Sequence, residues 1–399
     1  MSRSRGRVGD PLVLYFITDP ISTRLLRGQL AAVRAAGFAV GLVSADGAEL
    51  HDAAQREGVT AHVVRFVRPI SPLADLRALG QTISLIRRTR PDIVNASTPK
   101  AGLLAMVASF LCRVPVRVYV LRGLRLETST GVSRALLVTL ERVATASATI
   151  VLCNSASLRS ATEDCHAIAH GKGLVLGHGS GNGIDTSRFE DLPSQADARH
   201  ALGLPADATV IGFVGRYTAD KGIADLAAAF RNLRQRHPSL ILCLVGRFET
   251  DDPVDPETTE FIRTDPGVLD AGWHADLSTI YPAFDLLSFP SYREGLPNVP
   301  LEAQACSIPV VGYAATGTVD SVIDGVTARM VPVGDLGALA DAIESLILNP
   351  GTASTMGRDG REFVAASFDP EQVWAGIIDT YRHGLAPWAS ADTAPQETV

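Results

Sequence analysis

Residues 209–222 read TVIGFVGRYTADKG. The part from 209 to 214 is almost continuously apolar, as a strand covered on both faces of a parallel sheet must be. The chain then turns polar, passes Arg216 and Lys221, and takes up helical spacing over 222–236. Strand, short loop and helix together form the repeating unit of a doubly wound α/β sheet. The same signal returns downstream, with strands at 240–245, 285–289, 309–312 and 329–333 and helices near 299–306 and 336–348. Upstream, strands at 12–18, 38–44, 61–65, 92–96, 116–121 and 149–154 alternate with helical stretches such as 24–36, 72–88 and 132–146.

A polar, proline-containing stretch near 190–207 separates the two series, and 399 residues suit two domains better than one. The expected architecture is α/β, with two doubly wound Rossmann-like domains, 1–188 and 189–369, facing across a cleft. A last helix at 370–385 is expected to pack back on the first domain, and residues 386–399 to be a disordered tail.

Composition narrows the function. A chain 46% hydrophobic and 20% charged is an ordinary globular protein, and no apolar run reaches the length of a membrane helix. The longest, AGLLAMVASFLC at 101–112, reads as a buried helix. The basic N-terminus runs into Pro11 and a strand rather than a signal-peptide core. Cys112, Cys153, Cys165, Cys243 and Cys306 show no paired spacing, which points to buried thiols in a reducing cytoplasm rather than a disulfide frame or a zinc site. Net charge is −7, unevenly spread: residues 1–190 hold 23 Lys+Arg against 14 Asp+Glu, and the rest 13 against 29. The basic half is expected to face something anionic, and without aromatic interleaving a membrane surface fits better than nucleic acid. Arg68, Arg77, Arg87, Arg88, Arg90, Arg134 and Arg142 are the arginines expected to contribute. Chance asymmetry between domains is the plainer alternative.

Ligands of such sheets sit beyond the carboxyl ends of the strands. There, Arg216 and Lys221 stand beside a helix start, so two cations, backbone amides and a helix dipole suit a diphosphate. After the strand at 285–289 comes SYREGLPNVPLEA (291–303), with Glu294 and Glu302 spanning a loop and the first helical turn. The segment 295–299 offers free backbone amides at a helix start, those of Gly295, Leu296, Asn298 and Val299, which suit phosphate or sugar hydroxyls, while the two carboxylates suit hydroxyls of sugar or ribose. Read plainly, Glu294 is a cap and Glu302 a surface acid. The glycine-rich run at 177–183 lacks the position and the ribose-binding acid of a dinucleotide fingerprint, and reads as a flexible approach between domains, with Asn182 and Asp185 fixing its turn.

These segments, with GSGNGIDTSRF (179–189) and STPKAGLLA (97–105), resemble the retaining glycosyltransferases of the GT-B fold, family four, over residues 11–385. The likeness is closest to bacterial enzymes of capsule, exopolysaccharide or lipid-linked oligosaccharide synthesis. It implies that Arg216 and Lys221 bind the donor diphosphate and stabilise the leaving nucleotide. It further implies that Glu294 meets the transferred sugar, that the segment Gly295, Leu296, Pro297, Asn298 touches sugar and phosphate, and that Glu302 holds the ribose. Lys100 and Gly102 are implied on the acceptor side. Where many relatives carry His-Gly, this chain has Arg122-Gly123. Arginine cannot serve as a base but can donate to a hydroxyl or an anion, and with Glu127 nearby it hints at an anionic group on donor or acceptor.

The implied activity is transfer of a hexose or N-acetylhexosamine from a UDP donor to a saccharide acceptor, expected to be polyprenyl-diphosphate-linked, without cofactor. No Asp-x-Asp pair occurs, and the two cations are expected to replace a metal. The expected location is cytoplasmic, and peripheral on the inner membrane face if the basic half meets lipid. A sugar-nucleotide epimerase of the same architecture and a non-catalytic nucleotide-sugar-binding protein are the alternatives.

Overall fold

The structure, a computed structural model, describes residues 9–67, 69, 71–250 and 252–392, without the side chains of Arg125 and 387–392. The chain divides into two compact units, one running to Gly183 and resuming at Pro370, the other Ile184–Asp369. The division falls before residue 188 because the Ile184 amide donates to the Phe368 carbonyl (2.8 Å), and Ile184 and Phe189 are buried in the second unit's core.

The first unit holds β1 (Leu12–Phe16), β2 (Ala39–Ser44), β3 (Thr60–Val63), β4 (Ile93–Ser97), β5 (Val116–Leu121), β6 (Ile150–Cys153) and β7 (Gly173–Leu174). They form one parallel sheet in the order β3-β2-β1-β4-β5-β6-β7. The second unit holds β8 (Thr209–Tyr217), β9 (Leu240–Phe248), β10 (Val268–Gly272), β11 (Leu286–Phe289), β12 (Val310–Tyr313) and β13 (Ala328–Val331), in the order β10-β9-β8-β11-β12-β13. Each sheet carries an apolar cluster on both faces, which is why its strands read as near-continuous hydrophobic runs. Strand order reverses between β1 and β4 in one unit and between β8 and β11 in the other, and such switch points are where ligands enter these sheets.

Several local expectations change. The stretch 24–36 is a 3-10 turn, Pro20–Leu26, followed by a separate helix, Gln29–Ala35. The break falls at Gly28, whose φ of 79° is left-handed and whose Cα faces the Trp374 ring so closely that a Cβ would stand 2.6 Å from it. The short edge strands β7 and β10 escaped the sequence reading, and β8 and β9 run three residues past their apolar stretches. The final helix spans Pro370–Asp392, so part of the supposed tail is helical, while 393–399 lie outside the described residues. That helix belongs to the first unit. Tyr381 is fully buried, accepts from the Asn95 amide (2.6 Å), donates to the Tyr15 hydroxyl (2.8 Å) and meets the Phe38 ring edge-on. The five cysteines are free.

Candidate functional site

In the second unit, the loops after β8 and β11 meet at the switch point. β8 carries on to Tyr217, whose buried ring stacks edge-on with Phe248 and whose hydroxyl donates to Asp270 (2.8 Å). Arg216 therefore sits on the last turn of a strand rather than on a loop, with its side chain exposed. β9 runs beside it in register, Gly215 opposite Gly246, Arg216 opposite Arg247 and Tyr217 opposite Phe248. The sequence reading missed Arg247, although VGRY and VGRF repeat across the two strands and signal the match.

The chain then makes a 3-10 turn, Ala219–Lys221, and reaches Gly222 at φ 66°, before the helix Ile223–Arg236. A Cβ at 222 would lie 2.0 Å from the Pro290 carbonyl oxygen, so only glycine lets the two loops close on one another. The Tyr292 amide completes the join by donating to the Asp220 carbonyl (3.0 Å). Tyr292 and Tyr313 both donate to Asp225 (2.6 and 2.7 Å), which fixes the second loop over the helix start.

This join brings the predicted Lys221 and Glu294 into an ion pair, with side chains only 16% and 15% exposed. Ser291 also donates to Glu294 (2.8 Å), so Glu294 is neither a helix cap nor a solvated acid. Lys221, beside the helix start, is largely covered for the same reason. Arg293, which the sequence reading passed over, pairs with Asp220 at 2.7 Å. Burial draws the Asp220 carboxyl upward, but the Thr218 hydroxyl and the cations Lys221, Arg293 and Arg216 outweigh it and hold it below the usual carboxylate range. Those influences place three cations around one corner.

The helix Asn298–Ala305 starts beyond Gly295, Leu296 and Pro297, and among the described residues no side chain caps it. Its first amides and its dipole thus remain available to an anion or a hydroxyl. Gly317, in the turn after β12, closes on the Glu294–Gly295 backbone, and the Glu294 amide donates to the Thr316 carbonyl (2.9 Å). One turn along, Glu302 accepts from the buried Tyr281 hydroxyl (3.0 Å). Burial pushes the Glu302 carboxyl above its ordinary value, against Tyr281 and Arg188, which lower it. Tyr281 and Arg188, the latter paired with Asp276 at 3.3 Å, are further members that sequence reading did not find.

The first-unit candidates, Lys100, Gly102, Arg122 and Glu127, lie apart from one another in their local contacts. Lys100, at the start of the helix Pro99–Leu111, pairs with Asp75 (2.7 Å) and donates to the Pro69 carbonyl. A Cβ at Gly102 would stand 2.3 Å from the Tyr119 ring, so this glycine serves helix-on-sheet packing. Thr98, just before the helix, holds a φ of 81°, strained for a β-branched residue, and is tied to Thr18 across the β1/β4 switch point (2.8 Å). Glu127 lies exposed in the 3-10 turn Arg125–Thr128. Arg122 points beneath the glycine-rich segment, its guanidinium against Gly181. That segment is tied down rather than loose. Asn182 accepts from Trp374 (2.9 Å) and donates to the Arg27 carbonyl (2.9 Å), and Asp185 caps the turn Thr186–Phe189.

Comparison with known proteins gives the family of the two units. Residues 194–363 match the family described as glycosyl transferases group 1, and residues 22–177 the glycosyl transferase 4-like domain. The chain is 34% identical to the capsular polysaccharide biosynthesis glycosyltransferase CapM of Staphylococcus aureus over 369 residues, 92% of this chain and 96% of that one. It is 32% identical to the D-inositol 3-phosphate glycosyltransferase of Saccharomonospora viridis over 214 residues, 51% of this chain and 49% of that one. In fold it is similar to Anabaena HepE, solved in complex with UDP, with a TM-score of 0.76 at 23% identity, covering 94% of this chain and 100% of that one. The chain belongs to the family-four glycosyltransferases of the GT-B fold.

Proposed function

We propose that this glycosyltransferase moves a hexose or N-acetylhexosamine, with retention, from a UDP donor to a lipid-linked saccharide in capsular polysaccharide synthesis. The observation that carries the reading is the join at the β8/β11 switch point, where Arg216, Lys221 and Arg293 gather beside Glu294 and an uncapped helix start. Glycosyl transfer builds positive charge on the sugar and negative charge on the departing phosphate. Cations and amides fixed in advance stabilise that phosphate without reorganising during the reaction. In the ligand-free site Glu294 holds Lys221, and the donor diphosphate takes its place as that cation's partner. Glu294 is then released toward the sugar, and Glu302, oriented by Tyr281, accepts from the ribose hydroxyls. The leaving phosphate takes the acceptor proton as the acceptor attacks on the same face. The two cations do the work of a divalent metal, which is not required. The capsular role is supported by the likeness to CapM, and UDP by the HepE complex.

The acceptor's lipid is supported by the surface of the first unit. Helices Pro72–Thr89, Pro99–Leu111 and Gly131–Ser147 pack side by side, each starting at the carboxyl end of the sheet. There Val132 (88% exposed), Leu73 (73%), Leu76 (67%) and Leu136 (48%) face solvent beside the exposed Arg77 and Arg134. Exposed leucines and valines among arginines suit the headgroup boundary of an anionic bilayer. No helix of the described residues is long and apolar enough to cross a membrane. Of the other arginines expected there, Arg87, Arg88 and Arg90 stand at the opposite end of their helix, Arg142 donates to the His166 carbonyl (2.6 Å), and Arg68 lies outside the described residues.

Incubating the chain with labelled UDP-sugars and a polyprenyl-diphosphate saccharide, with and without excess EDTA, tests the reading. Transfer with retained anomeric configuration in both conditions is expected. Epimerised donor would instead support an isomerase, bound and unchanged donor a binding protein, and loss with EDTA a metal-dependent site.

A further inference from the structure

Arg122 follows β5 and lies in the first unit, outside the cation cluster described above. Its guanidinium lines a small pocket with Gln29, Asn95, Asn154, Ser180 and Gly181, whose free volume of about 10 Å³ holds one water-sized group, open at one side and apolar elsewhere. No carboxylate lines this pocket. Among the described residues Arg122 forms no ion pair, and its Nε is buried without a hydrogen-bond partner. Burial draws its pKa down to about 10, with Tyr15 opposing, so it stays charged at neutral pH.

The polar neighbours are amides and hydroxyls, which carry no charge to neutralise it, and several of their groups are engaged with one another. Gln29 donates to the Gly181 carbonyl (2.9 Å) and Asn95 to Tyr381 (2.6 Å). The Asn154 carbonyl accepts from the Ser180 amide (2.7 Å), and the Ser180 hydroxyl accepts from the amides of Asn182 and Gly183 (3.2 and 2.7 Å). The guanidinium also packs directly against the backbone: a Cβ at residue 181 would stand 2.1 Å from Nη1, so any side chain there would displace it. A buried cation without a counter-charge is costly unless something anionic completes it.

We propose that Arg122 is the cation of an anion pocket in the first unit, sized for one small anionic group such as a halide ion or a carboxylate. The group comes either free from solution or as the carboxylate of a uronic acid on the saccharide substrate. The pocket lies at the carboxyl ends of β5 and β6, where such sheets receive ligands.

Two arms need no donor. Crystals of the full chain soaked in bromide are expected to show an anomalous peak beside the Arg122 guanidinium. In solution, replacing a bulky sulfonate buffer anion by chloride, bromide or formate at constant ionic strength is expected to raise the melting temperature by about 2–4 °C. Arg122→Gln should abolish that rise and Arg122→Lys should retain part of it. A third arm compares turnover with uronic-acid and neutral hexose substrates. A preference for the uronate that Arg122→Gln erases assigns the anion to substrate; no preference, with the bromide peak present, assigns it to solution. Absence of bromide at Arg122, or an anion response unchanged in Arg122→Gln, overturns the proposal. Should the variant not fold, the bromide crystal of the unaltered chain decides alone. Failure of the transfer assay would leave these first two arms intact.

Discussion

The two switch points carry similar residues to opposite ends. At β8/β11 the cations Lys221 and Arg293 are paired with Glu294 and Asp220 in loops held together by Gly222, beside a helix start that no side chain caps. At β1/β4 Lys100 also heads a helix and also has a carboxylate, yet that carboxylate is Asp75, the first-turn acid of a neighbouring helix, and the join is sealed by Thr18 and Thr98. A lysine at a helix start is thus part of a charged corner in one unit and a clasp between helices in the other. Position in the fold does not decide between these; the partner does.

The sharpest way to break this comparison is to remove cations from each side. Arg216→Ala should cut turnover by about 10²–10³-fold with the melting temperature nearly kept, the size of effect seen when one group aimed at developing charge is lost. Lys221→Ala should cut turnover as much and also lose about 1–2 kcal/mol of stability, because Glu294 is left covered without its cation. Lys100→Ala should lose stability without the large loss of turnover. Asp75 would be left without its cation in a half-buried place, for a stability loss of about 1–2 kcal/mol, while turnover per folded molecule changes only a few-fold. Turnover lost at Lys100 with stability intact would return it to the acceptor side.

A smaller effect concerns the outer face of the first unit. Leu73→Glu with Leu76→Glu should lower recovery on anionic vesicles in a flotation assay several-fold at low salt, and raised salt should release the unaltered chain, since each basic residue near such a surface contributes roughly 1 kcal/mol. Equal recovery on neutral and anionic vesicles would remove lipid from the account.

The smallest effect is on pH dependence. Burial pushes the Glu141 carboxyl to about 7, although its bond from Tyr119 (2.7 Å) lowers it. The folded chain therefore holds this proton more tightly than the unfolded chain. Stability from it is full below the ordinary carboxyl pKa and declines as pH rises toward and through about 7. The melting temperature should fall over that window, and Glu141→Gln should flatten the fall. An identical slope in the variant would show that Glu141 is not the titrating group.

Most of the fold was legible because a parallel sheet buried on both faces writes its strands as apolar runs. The places that escaped are those where that writing fails. β7 is two residues long, β10 is an edge strand only half-buried, and the ends of β8 and β9 are polar because they carry Arg216 and Arg247. Helix 24–36 was misjudged because its apolar spacing continues across Gly28, and only the contact with Trp374, far along the chain, fixes the break there. In the site, Arg216, Lys221, Glu294 and Glu302 were legible from loop position and motif. Their partners Arg293, Asp220, Ser291 and Tyr281 were not, because spacing says where a loop lies but not which side chains a neighbouring loop will meet.

The central claim is that the corner at β8/β11 binds the donor's diphosphate. Isothermal titration of UDP into the full chain and its folded variants tests it most directly. The account predicts saturable binding that weakens at least about tenfold, some 1.4 kcal/mol, in Lys221→Ala and Arg216→Ala and stays unchanged in Lys100→Ala. UDP affinity that is the same in all four proteins, or lost only in Lys100→Ala, would contradict it.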